Sequence, residues 1–131
     1  MTVGLDTSVA VRVLVGEPAA QAEAARKWLV ERGSADPATL SDLVVGETYF
    51  ALRHHYGVPH RRAVAALRAL LVDPRVQPSG VARQVLTALP QEEVAPGLMD
   101  RLIHADYRHS GAGVVTFDRD AARLEGAVLL S

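Results

Sequence analysis

Four carboxylates in this chain are placed where chemistry is done: Asp6, Glu47, Asp100 and Asp118. Asp6 follows a short apolar run, Thr2 to Leu5, and Asp118 follows a β-branched run, Val114 to Thr116. Asp100 opens the helical stretch that leads back to that second run. Each of these three also suits a helix start, where a carboxylate caps free N–H groups and favours the dipole. Glu47 is different. Leu43, Val44, Phe50 and Ala51 lie three and four residues from it, which predicts that Glu47 shares a buried apolar face. A carboxylate there is costly unless it meets an arginine or a metal ion, and both readings stay open. If the four acids converge, their charges repel strongly and call for a cation. Oxygen donors without sulfur or histidine select Mg²⁺ or Mn²⁺ over Zn²⁺. Such an ion takes phosphate readily as a further partner. That suits phosphodiester hydrolysis, because the ion holds the phosphate, acidifies a water and offsets charge on the leaving oxygen.

The elements that must position these acids follow from spacing and punctuation. From Met99 to Asp120 the chain reads as helix, glycine turn, buried strand and acidic helix start. Ligands of parallel α/β folds sit at the carboxyl ends of strands, which is where Asp6 and Asp118 fall. Strands are expected at Thr2–Leu5, Ala38–Leu40, Arg75–Gln77, Val114–Thr116 and Ala127–Leu130. Helices are expected from Thr7 to Leu14, Ala19 to Glu31, Ser41 or Asp42 to about Tyr56, and His60 to Val72. Further ones run from a Ser79 cap to about Leu89, through the Met99 stretch, and from Asp118 to about Leu124. The alternation predicts a three-layer α/β fold, with a central parallel sheet of four to five short strands between helices. Residues 1–131 fit one domain.

Composition narrows the function. Aromatic residues make up only 5% of the chain, so the core must be built from Ala, Val and Leu. A formal net charge of -1 argues against a strong passive nucleic-acid binder but leaves room for an enzyme with a local site. With no cysteine, disulfides and thiolate metal sites are excluded. The N-terminus lacks the pattern of a signal peptide, and no run is long enough to span a membrane. A cytoplasmic protein is the expectation.

Four motifs occur in order: Asp6-Thr7-Ser8 after the first strand, Ser41 with Glu47 six residues on, Asp100-Arg101-Leu102-Ile103, and Thr116-Phe117-Asp118-Arg119-Asp120. Together they resemble a PIN domain over the whole chain. The compact length is similar to the VapC-type toxins of toxin–antitoxin pairs. The resemblance implies a Mg²⁺- or Mn²⁺-dependent endoribonuclease, acting on RNA as a homodimer and held inactive by an antitoxin protein. It assigns Asp6, Glu47, Asp100 and Asp118 as the catalytic, metal-holding quartet. His104 stands where the family often has a small residue. Asp120, Thr7 and Thr116 are candidates to assist, or simply to satisfy nearby backbone.

Two other functions compete. One is a catalytically silent PIN-like module that binds a partner. The other is a Mg²⁺-dependent phosphohydrolase with an aspartate nucleophile, which commonly wants a second acid two residues on, where Ser8 stands here. Arg53, His54, His55, His60, Arg61, Arg62 and Arg68 form a basic cluster. It would track an RNA backbone or be a solvated surface.

Overall fold

The computed structural model describes residues 2–131. The elements in order are α1 (Thr7–Val15), α2 (Ala19–Arg32), β1 (Ala38–Leu40), α3 (Asp42–His54), α4 (His60–Val72) and β2 (Val76–Pro78). They are followed by α5 (Ala82–Ala88), α6 (Leu98–His109), β3 (Val114–Thr116), a 3-10 turn (Ala121–Arg123) and β4 (Ala127–Leu129). Asp6 caps α1 by accepting the Ser8 N–H, and Ser41 caps α3 by accepting the Val44 N–H. Gly16 ends α1 at φ 82°, a conformation that costs glycine nothing.

The core gathers on α4. Ala63, Val64, Leu67, Leu70 and Leu71 recur at helical spacing and are all buried. Leu40, Val45, Leu52, Val76, Leu86, Leu98 and Leu102 join the same cluster. Each fully buried leucine contributes about 1.5–3 kcal/mol over an exposed one, so aliphatic packing rather than aromatic stacking holds the fold. A polar tie adds to it. The Asp42 carboxylate accepts the N–H groups of Val81 (3.1 Å) and Ala82 (2.9 Å), capping α5 from 40 residues away. Gly80 leaves room for this tie, since a Cβ there would lie 2.3 Å from Asp42 Oδ2.

The single sheet of four to five strands is not formed. There are two parallel two-stranded sheets, β1 with β2 and β3 with β4. The Thr2–Leu5 strand reduces to one parallel bridge, Gly4 to Thr39, closed by Leu5 N–H to Thr39 O and Thr39 N–H to Val3 O. Among the described residues, no backbone hydrogen bond joins Val3–Leu5 to β3. Each paired run is only three residues long, so β propensity alone could not fix which edges meet. Val3, Gly4 and Leu5 instead border an apolar groove of about 630 Å³, walled by Val9, Ala24, Ala25 and Trp28.

Among the described residues no helix is long and apolar enough to cross a membrane.

Candidate active site

Asp6 and Asp100 fall at helix starts and Glu47 in a helix middle, while Asp118 lies in the loop between β3 and the 3-10 turn of Ala121–Arg123, which stands where a helix from Asp118 to about Leu124 was expected. Asp6 precedes α1. Its carboxylate accepts Ser8 Oγ–H at 2.7 Å, and this bond, more than any other contact, holds the carboxyl below its ordinary range. The next residue, Thr7, donates its hydroxyl to Glu47 Oε1 at 2.7 Å. That bond ties the Asp6 end of α1 to the middle of α3. From α3 the path crosses to α6 at Gly46, beside Glu47. The Met99 sulfur seats over Gly46, where a Cβ would lie 2.4 Å from it. Asp100 follows Met99 in the first turn of α6.

Asp100 is partly buried. Burial first, then the charges of Asp118 and Asp120, push its carboxyl above the ordinary value of 3.8. Asp118 Oδ1 accepts the N–H groups of Asp120 (2.7 Å) and Ala121 (3.1 Å). The Asp118 N–H in turn donates to Thr116 Oγ1 at 3.0 Å, so Thr116 serves the turn. The structure thus brings together Asp6, Thr7 and Glu47 on one side, and Asp100, Asp118 and Asp120 on the other. It does not close them into one cage: among the described residues no three of His, Cys, Asp or Glu are grouped to hold a metal ion.

Glu47 is not on a buried face. It is exposed, and so are Leu43 (78%) and Phe50 (55%). The buried face of α3 is Val45, Gly46, Thr48 and Leu52. The apolar neighbours of Glu47 therefore mark a surface stripe, and among the described residues no arginine pairs with it. Among the described residues, none of the four carboxylates forms an ion pair. Asp100 accordingly faces the charges of Asp118 and Asp120 with no cationic partner of its own. This donor set, hard oxygens carrying uncompensated charge, fits a divalent ion such as Mg²⁺ or Mn²⁺.

The family model of the PIN domain matches residues 3–127. The chain belongs to the PIN domain family. No curated protein and no solved structure matches it. PIN domains are in general metal-dependent nucleases, so a nuclease-type function follows for this PIN domain.

The basic cluster is divided by the structure. His60 is buried between Tyr49 Oη (2.6 Å to Nδ1) and the Pro90 carbonyl (3.3 Å from Nε2). Arg53 pairs with Glu93, and Arg68 donates to the Leu86 and Leu89 carbonyls. These three hold helix ends and loops. His54, His55, Arg61 and Arg62 are left on the surface. Read from sequence, Ser8 figures in a motif but without its bond to Asp6, and Arg123 is not singled out. The Asp-Thr-Ser order at a helix start was the available signal for Ser8. Arg123 gave none, because the Ala95 carbonyl it meets lies 28 residues away.

Proposed function

We propose that this PIN domain is a Mg²⁺- or Mn²⁺-dependent endoribonuclease of the VapC toxin type, cleaving RNA in the cytoplasm and neutralised by a cognate antitoxin protein. The observation that carries the reading is the charge of Asp100 and Asp118, which among the described residues meets no cation. Asp100 and Asp118 would hold the ion, with Asp6 and Glu47 supplying the remaining carboxylates of the quartet. When bound, the ion supplies charge neutralisation and a more acidic water. The chain's own groups do the positioning: Ser8 orients Asp6, Thr7 orients Glu47, and the backbone of Asp120 and Ala121 orients Asp118. The four ordered motifs support the PIN nuclease reading, and the toxin assignment rests on the likeness of the compact length to VapC-type toxins. An antitoxin arginine or lysine placed among these acids would replace the cation's charge, which gives inhibition a direct physical basis.

Chelation tests the reading. Purified protein is expected to cleave single-stranded RNA with Mn²⁺ and to lose all cleavage in excess EDTA, with recovery on adding metal back. Cleavage that survives exhaustive chelation overturns it.

Homodimer formation is part of the same proposal, and exposed apolar side chains support it. Leu43 and Phe50 of α3 adjoin Met99 through Gly46, and Met99, Ile103 and Tyr107 line α6, all left exposed. Together they make an exposed apolar patch of the kind that marks contact sites on single chains. Phe50→Glu with Ile103→Glu is expected to convert a dimer to a monomer in light scattering. A wild-type chain that stays monomeric at high concentration removes the dimer.

A further inference from the structure

The position of Asp118 depends on very few contacts. It lies on the C-terminal unit of β3, the 3-10 turn and β4, whose sheet shares no strand with the sheet of β1 and β2. That unit is held to the rest of the chain by polar struts. The Arg123 guanidinium donates to the Ala95 carbonyl, just ahead of α6, and lies 3.4 Å from Asp120 Oδ1. His104 Nε2, one turn beyond Asp100 on α6, is hydrogen-bonded to the Glu125 carbonyl. Farther along the helix, Arg108 pairs with the Glu125 carboxylate at 3.4 Å.

Two of these struts bracket the acid pair. Arg123 belongs to the turn whose first N–H, at Ala121, binds the Asp118 carboxylate. Its guanidinium therefore spans from the Asp118 turn to the segment that launches Asp100. His104 shares the helix face of Asp100, four residues on, and holds the far end of the same unit. We propose that Arg123 and His104 are positioning residues that set the spacing between the Asp100 and Asp118 carboxylates. This rests on the nuclease reading, in which that pair holds the cation. Neither residue is a ligand: Arg123 is itself a cation, and His104 is committed to a backbone carbonyl.

The test is Mn²⁺ alone, titrated by calorimetry into the full chain without RNA, at a temperature well below the melting midpoint. Arg123→Ala and His104→Ala are each expected to weaken Mn²⁺ binding about tenfold, the usual scale for groups that orient metal ligands. His104→Gln keeps a nitrogen donor at similar reach and should bind within about twofold of wild type, on the same scale. A purely structural role predicts lower melting temperatures with unchanged Mn²⁺ affinity, and that result overturns the inference. Should either alanine variant fail to fold, Arg123→Lys and His104→Gln are read instead. Arg123 Nη2 makes both contacts, and lysine keeps the charge but is shorter and lacks the fixed N–H directions of the guanidinium, so weaker binding by Arg123→Lys with His104→Gln unaffected is the supporting pattern. Wild-type affinity in both overturns the inference. If the wild type binds no Mn²⁺, the nuclease reading falls and the inference with it. If it binds and every variant binds equally, only the inference falls.

Discussion

Asp100→Asn is expected to reduce RNA cleavage a hundredfold or more, the order lost when one charge-stabilising group leaves an active site, roughly 10²–10³. The same change is expected to stabilise the cation-free protein at neutral pH. Burial and the charges of Asp118 and Asp120 raise the Asp100 carboxyl above its ordinary value of 3.8 in the folded state. The folded protein thus binds that proton more tightly than the unfolded chain does. The ionised form opposes folding, and the penalty develops as pH rises from the unfolded value through the raised folded one. It is fully developed above the raised folded value and absent well below pH 3.8, where the group is protonated in both states. Asparagine removes the penalty where it exists. Thermal melts without metal should show the variant ahead of wild type at pH 7, with the gap closing near pH 3. Saturating Mg²⁺ should reverse the order at pH 7, because only the native site that binds the ion gains from it. Equal melts at pH 7 together with intact cleavage would remove Asp100 from the site.

The local parts of the fold were legible because they are set within a turn or two of chain. His60–Val72 was readable from the spacing of Ala63, Val64, Leu67 and Leu71. The Ser41 cap and the Gly16 and Ser110–Gly111 stops were readable from residue type. The sheet was not. Runs of three residues such as Ala38–Leu40 and Val114–Thr116 announce strands but carry too little side-chain pattern to name their partners. The Asp42 tie to α5 was equally hidden, since its two halves lie 40 residues apart.

What the sequence offered of the candidate site was residue types and spacing, not their setting. Asp6 and Asp118 do cap turns, as helix-start acids should, and their role in a metal site is the proposal laid over that capping. The burial of Glu47 was misread because periodicity counts apolar residues without knowing what covers them. Leu43 and Phe50 looked like core; the face that packs is the smaller one of Val45, Gly46 and Thr48. Gly46 was the signal. A glycine inside a helix has no local reason to be there, and here it admits Met99 of α6.

Glu47→Gln separates what remains. The change keeps the side chain's shape, and its Oε1 can still accept the Thr7 hydroxyl that now lies 2.7 Å away. Glu47 is exposed and, among the described residues, forms no ion pair, so no buried charge is stranded. Stability without metal should therefore stay within about 0.5 kcal/mol of wild type, as for ordinary surface changes. Had an arginine met Glu47 in the core, the loss would have been roughly 3–5 kcal/mol. Function should respond differently. Removing one negative charge is expected to weaken Mn²⁺ binding about tenfold and to cut cleavage by at least as much. Thr7→Ala supplies the contrast: it keeps the charge but frees the carboxylate from its one hydrogen bond, so affinity should fall by less than with Glu47→Gln. Titration of both variants with Mn²⁺, followed by cleavage assays at saturating metal, distinguishes a charge that binds from a bond that orients. Wild-type Mn²⁺ affinity and wild-type cleavage in Glu47→Gln would make Glu47 a surface acid that happens to face Thr7, and would reduce the quartet to its three aspartates.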